Sequence, residues 1–235
     1  MPSVDAIILN FKRRHNIGWI VRTCLACPEV RTVHVIDQAD PEQLVRSMPG
    51  SRRVVYRREP NIGCGRRLIY GAELDCDLLL CIDDDVFLTT EQIGQLIGRA
   101  WEQPDRAHGI WGQDIVEGDG AIRIEGGVMN VDRPVGILNR VYAFAPEQAR
   151  AARALATALG LDRDNLGPFD DVLLSFAAAS PPLCHHLGPI RDCETSNQPG
   201  IAVWKEPGFD ERRVALIEKI GAMLPNRRDH MAAAS

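Results

Sequence analysis

Three consecutive aspartates, Asp83-Asp84-Asp85, close the most apolar run in the sequence, Leu78-Leu79-Leu80-Cys81-Ile82. A strand that apolar is buried on both faces of a parallel sheet. Its acids therefore emerge at the sheet's carboxyl edge, where open α/β sheets bind ligands. Three carboxylates there repel one another without a counter-charge. A hard divalent cation, Mg²⁺ or Mn²⁺, bridging to a diphosphate would supply it, because such ions are held by one or two carboxylates plus phosphate oxygens. An isolated triplet elsewhere would read as a helix cap or a solvated turn. Its place after a buried strand favours a site, with Asp83 and Asp85 as the candidates on the metal side.

A second acidic pair, Asp170-Asp171, precedes the apolar run Val172 to Phe176. Complementing a helix dipole is worth about 0.3–1 kcal/mol per acid, which makes a pair partly redundant and marks both as candidates for chemistry. Arg212 follows Asp210-Glu211; its guanidinium can grip two phosphate oxygens, or it can pair with acids on a helix surface. Cys184-His185-His186 could add a metal ligand, although a structural or exposed histidine pair is the simpler reading. Cys24-Leu25-Ala26-Cys27 has CxxC spacing but no second pair at zinc spacing, and reads as buried thiols.

Strands and helices alternate around these residues. Ala6-Ile7-Ile8-Leu9 reads as a strand ending at Asn10, and apolar residues recur at helical spacing from Ile17 to Ala26. Val33 to Asp37 and Arg53 to Tyr56 are predicted strands, with a helix from Gly63 to Ala72 after a glycine-containing turn. Thr89-Thr90-Glu91-Gln92 has the hydroxyl-then-acid pattern of a helix start, leading to a helix that ends near Trp101. This alternation implies one α/β domain over residues 1–224, with an open, largely parallel sheet. The loops after Leu9, Ile36 and Ile82 should meet the ligand, which makes Asn10 a candidate contact. Beyond Gly109, the segments Ile110-Trp111-Gly112, Ala121 to Ile124 and Gly136 to Phe144 read as a mixed-direction sheet. Helices are predicted over Pro146 to Leu159, Phe169 to Ala179 and Asp210 to Leu224, and the tail 225–235 is expected to be disordered.

Composition narrows the class. The 235 residues suit one well-buried domain, and 45% hydrophobic with 25% charged residues excludes wholesale disorder. A net charge of -5 argues against broad attraction to a nucleic-acid backbone. The arginine doublets Arg13-Arg14, Arg52-Arg53, Arg57-Arg58, Arg66-Arg67 and Arg212-Arg213 read mainly as solvated pairs, with room for a local basic pocket. No run approaches the roughly 18 apolar residues of a membrane span, and the N-terminus lacks a signal-peptide pattern. The expected location is the cytoplasm or its membrane face, with the seven cysteines as reduced thiols.

With these residues in view, Leu79-Leu80-Cys81-Ile82-Asp83-Asp84-Asp85-Val86 resembles the DxD region of glycosyltransferases with the GT-A fold, especially the exostosin-like family that transfers N-acetylhexosamine. Asn61 and Arg67 are similar to that family's asparagine and arginine near the nucleotide, and Arg13 to an arginine after its first strand. Phe169-Asp170-Asp171-Val172-Leu173-Leu174-Ser175-Phe176 resembles its acidic pair and apolar helix. Gly200-Ile201-Ala202 and Phe209-Asp210-Glu211-Arg212 resemble its C-terminal segment, where an arginine approaches the diphosphate. The resemblance covers roughly residues 4 to 222. It implies a mixed central sheet with flanking helices and a nucleotide-diphosphate sugar donor, UDP-linked. It further implies that Asp85 ligates the metal, that Asp83 and Asp84 contact ribose or sugar, and that Asp171 lies beside the anomeric carbon. Retention of anomeric configuration is favoured. The family's cysteine before the acidic pair is here Phe169, and the stretch between Trp111 and Val135 matches poorly, so the acceptor, whether saccharide, lipid-linked or small molecule, is not transferred. Trp111 and Trp204 could stack on a sugar ring or fill the core.

Two other readings compete. A sugar nucleotidyltransferase would carry a glycine-rich loop after its first strand, whereas this chain has Asn10-Phe11-Lys12-Arg13-Arg14-His15. A noncatalytic nucleotide-sugar binder of the same fold would keep the donor site without turnover.

Overall fold

In the computed structural model, residues 3–39, 48–162, 164 and 166–225 are described. Four parallel strands form its first half: β1 (Val4–Asn10), β2 (Val30–Asp37), β3 (Val54–Arg58) and β4 (Leu78–Ile82). The pairs β1/β2, β1/β4 and β2/β3 are all parallel, placing β1 and β4 at the centre. Every residue of β1 and β4 is buried. Alternate side chains feed two layers: Leu79 and Cys81 pack into one core cluster, while Leu78, Leu80 and Ile82 pack into the other. Burying a Leu or Ile side chain contributes about 1.5–3 kcal/mol, so β4 has no favourable place at a sheet edge.

Helix α1 (Arg14–Ala26) begins a turn earlier than the apolar spacing predicts, and α2 (Arg66–Gly71) is shorter than its expected range. After β4 the chain passes the acidic turn into β5 (Val86–Phe87) and then α3 (Thr90–Glu102). The start of α3 is the expected one: Thr89 Oγ1 accepts from the Gln92 amide at 3.1 Å, and Gln92 Oε1 accepts from the Thr89 amide at 2.9 Å.

The second half supplies the predicted mixed-direction part. It runs through β6 (His108–Gly109), β7 (Trp111–Gly118), β8 (Ala121–Met129), β9 (Arg133–Pro134), β10 (Ile137–Leu138) and β11 (Val141–Phe144). It continues with α4 (Pro146–Ala158), α5 (Asp170–Ala177), β12 (Leu183–Cys184), β13 (Arg191–Asp192) and α6 (Phe209–Met223). The main sheet has the order β3-β2-β1-β4-β11-β6-β12-β9, with β11 antiparallel to β4. A three-stranded sheet, β10-β7-β8, stands beside it, and β13 pairs with β5.

The stretch Gly136 to Phe144, expected as one extended segment, is broken between β10 and β11, where Arg140 takes a φ of 68°. That left-handed turn lets β10 pair with β7 while β11 pairs with β4. The expected disordered tail lies outside the described residues from 226 onward. Among the described residues no helix is long and apolar enough to cross a membrane, and all seven cysteines are free, Cys24 and Cys27 buried.

Candidate active site

A cavity of about 780 Å³ opens at the carboxyl edge of β1 and β4. The acidic turn after β4, the start of α5, the β7–β8 hairpin and the segment 196–213 all contribute to its lining. Two glycines bring the starts of α2 and α5 together. Gly65 donates its amide to Gly167 O at 2.8 Å, and a Cβ there would overlap the Leu166 side chain. Gly63 has a φ of 85°, and a Cβ added there would meet the Gly167 backbone at 2.8 Å.

That approach places Arg67 of α2 between two acids. Its Nη2 lies 2.6 Å from Asp83 Oδ1 and its Nε 3.0 Å from Asp170 Oδ2, with the residue only 3% exposed. These are ion-pair distances without hydrogen-bond alignment, so both carboxylate oxygens and Arg67 Nη1 lack a hydrogen-bond partner among the described residues. Burial raises Asp83 above the usual carboxylate range against the pull of Arg67, and Asp85 adds to the rise. Burial likewise pushes Asp170 up to about 7, again opposed by Arg67 and reinforced by Asp171 and Asp83.

Asp84 holds the backbone. Its Oδ2 accepts from the amides of Phe11, Lys12 and Arg13 at 3.2, 3.4 and 3.3 Å, and its Oδ1 accepts from Arg13 Nη1 at 2.8 Å. The loop after β1 is thereby tied to the turn after β4. Arg13 spends its other N–H groups on Thr195 Oγ1 and Thr195 O, both at 3.0 Å. Asp85 sits between two arginines: Oδ2 is 3.3 Å from Arg13 Nη2, and Oδ1 is 3.1 Å from Arg140 Nη2.

Asp171 is fixed through both oxygens. Oδ1 accepts from the Val172 amide at 2.7 Å, and Oδ2 from Arg213 Nη2 at 2.6 Å. Arg213, 1% exposed, also donates to Gln113 Oε1 at 2.6 Å, which joins α6 to β7. Arg212 is elsewhere. Its side chain is 44% exposed, pairs with Glu206 at 3.7 Å and donates to Pro207 O. The guanidinium of this doublet that lines the cavity is Arg213's, one residue from the one the sequence singled out.

Asn61 lines the rim, its Oδ1 accepting from the Gly63 amide at 3.1 Å. Asn10 does not reach the cavity; it is fully buried and donates to Asp37 Oδ1 at 2.6 Å, while Tyr56 donates to Asp37 Oδ2 at 2.6 Å. Asn10 thus closes a polar knot under β1, β2 and β3. His185 is also remote, stacked on His108 with their ring nitrogens 2.9 Å apart. Trp111 and Trp204 both line the cavity, Trp111 beneath the Arg140 guanidinium at 4.4 Å. Arg140 and Gln113 carry no motif that a sequence reading could seize on, and Arg213 shows only as half of the Arg212-Arg213 doublet.

Among the described residues no three His, Cys, Asp or Glu side chains converge as a metal site. Asp83 and Asp85 nonetheless line the cavity with hard oxygen donors, Asp83 Oδ1 being ion-paired with Arg67 at 2.6 Å. That donor set fits Mg²⁺ or Mn²⁺ when phosphate oxygens complete the shell.

No family model and no curated protein matches the sequence. Solved structures do. The chain is similar to S. aureus TarS 1-349, with a TM-score of 0.52 and 12% identity over 80% of this chain and 59% of that one. It is also similar to GalNAc-T7 with UDP, GalNAc and Mn²⁺, with a TM-score of 0.55 and 11% identity over 92% of this chain and 48% of that one. The chain therefore spans about half the length of these structures. Both are GT-A glycosyltransferases, and the mixed α/β sheet with its flanking helices gives this chain their fold.

Proposed function

We propose that this chain is a glycosyltransferase that moves a hexose or N-acetylhexosamine from a UDP-linked donor to an acceptor hydroxyl, with retention and with Mn²⁺ or Mg²⁺. One catalytic domain over residues 1–224 carries the reaction. The observation that supports it is the convergence of Asp83 and Asp85 from the end of β4 with Asp170 and Asp171 from the start of α5 on one cavity of a GT-A fold. The fold alone hosts no particular chemistry; the acids and arginines in this cavity suit a sugar diphosphate.

In this reading Asp83 and Asp85 would hold the cation, whose charge would offset that developing on the departing diphosphate. Arg213, on the cavity wall where Arg212 was first expected, fixes Asp171 toward the anomeric carbon, where positive charge develops in the transition state. Asp170, raised to about 7, can hold a proton near neutral pH beside it. Asn61 and Arg67 lie on the nucleotide side, with Asp84 and Arg13 keeping the loop in register. Asn10 acts beneath the site. The compartment proposed is the cytoplasm.

A thermal-shift screen of UDP-, GDP- and dTDP-sugars with and without Mn²⁺ tests donor binding, because a ligand of the folded state raises Tm. A Mn²⁺-dependent rise with a UDP-sugar, followed by transfer or donor hydrolysis, is expected. Binding without any turnover would favour the noncatalytic binder, and no shift with any donor would overturn the proposal.

A further inference from the structure

Among the described residues four arginines pair with the aspartates at the end of β4 and the start of α5, and they differ in what their release would expose. Freeing Arg67 would strip its charge partner from Asp170, and freeing Arg213 would strip it from Asp171, both buried. Freeing Arg13 would break its contacts to Asp84 and Thr195 together. Arg140 is different. Its two partners are Asp85, which keeps Arg13 on its other oxygen, and Asp192, whose side chain is 33% exposed and can be hydrated. Arg140 can leave both without orphaning a buried acid.

Its backbone is also held independently of its side chain. Arg140 O accepts from the Asp83 amide at 2.9 Å, and the φ of 68° is locked between β10 and β11. The guanidinium rests on Trp111, a flat support that tolerates sliding. Two of its five N–H donors are spent on the acids, and it lines the cavity.

Resting on the donor-site reading, we propose that Arg140 is a diphosphate-binding residue, parked on Asp85 and Asp192 in the free chain and turned onto phosphate oxygens when the nucleotide arrives. Asp192 then acts as its competitor, a role that a merely structural ion pair would not have.

The test is isothermal titration of UDP and of uridine, with Mn²⁺ present, into the wild type, Arg140→Gln, Arg140→Lys and Asp192→Asn, each checked for an unchanged circular dichroism spectrum. Arg140→Gln should weaken UDP by roughly tenfold or more, the scale of one charge-assisted contact, while leaving uridine within about twofold. Arg140→Lys, which keeps the charge but not the fork, should fall between. Asp192→Asn should tighten UDP by about twofold or more, since the guanidinium is released from its competitor. If Arg140→Gln fails to fold, Asp192→Asn decides alone. UDP affinity unchanged in Arg140→Gln, or unchanged or weakened in Asp192→Asn, overturns this inference and leaves the donor site standing. A wild type that does not bind UDP overturns both.

Discussion

Arg213 meets Asp171 at 2.6 Å in the interior, while the adjacent Arg212 turns outward to Glu206. One peptide bond separates an arginine that builds the cavity from one that decorates a helix surface.

Arg213→Ala should therefore abolish detectable transfer and destabilise the fold by about 3–5 kcal/mol, since Asp171 is left buried without its partner. Arg212→Ala should change stability by no more than about 0.5–1 kcal/mol and leave UDP affinity unaltered. Urea denaturation and donor titration of the two variants side by side measure the contrast.

The acids at the end of β4 divide in the same way. Asp83→Asn is expected to weaken Mn²⁺-dependent UDP binding by about tenfold or more, close to 1.4 kcal/mol, with UDP binding in chelator little altered. Asp84→Ala should instead lower Tm and disorder the loop after β1, because three backbone amides lose their acceptor. Thermal melts with Mn²⁺ and with EDTA separate the two.

Asp170 makes stability depend on pH with a defined sign. Its folded-state pKa of about 7 lies above the ordinary 3.8. Below about pH 4 both states hold the proton and the contribution is full. Between there and about pH 7 only the folded chain holds it, so stability falls as pH rises, at no more than about 1.4 kcal/mol per unit. The difference between wild type and Asp170→Asn in urea titrations should grow across that window and level off above it.

Gly65→Ala tests the alignment of the two helix starts. The added methyl meets the Leu166 side chain and crowds Gly167, so the loop must shift. A loss of about 1–3 kcal/mol is expected, together with weaker donor binding as Arg67 and Asp170 move apart. Tm and UDP affinity should fall together; a fall in Tm alone would mean that the acids hold their places without this contact.

Much of the fold was legible because it rests on local signals. The five buried residues of β4 and the triplet after them place acids at a sheet edge without reference to anything distant. The hydroxyl-then-acid start of α3 is equally local, closing through side chains three residues apart. Arg67 stands out by resemblance to a known motif, and Asp170 and Asp171 both by that resemblance and by their place before an apolar run.

What stayed hidden depends on docking. Successive helix residues lie about 100° apart, so which member of Arg212-Arg213 faces inward is set by the way α6 packs against Asp171 and Gln113, and no local pattern reports it. Asn10 ends a strand as expected, yet Asp37 and Tyr56 from the neighbouring strands draw it under the sheet. Arg140 carries no motif at all; it matters because a left-handed turn between two strands sets it over Trp111 and against Asp85. Local patterning was enough to gather acids at the end of a buried strand. Which arginines answer them is set by packing, because those pairings join residues as distant in the chain as Arg13 and Asp85 and exist only once the strands and helices are assembled.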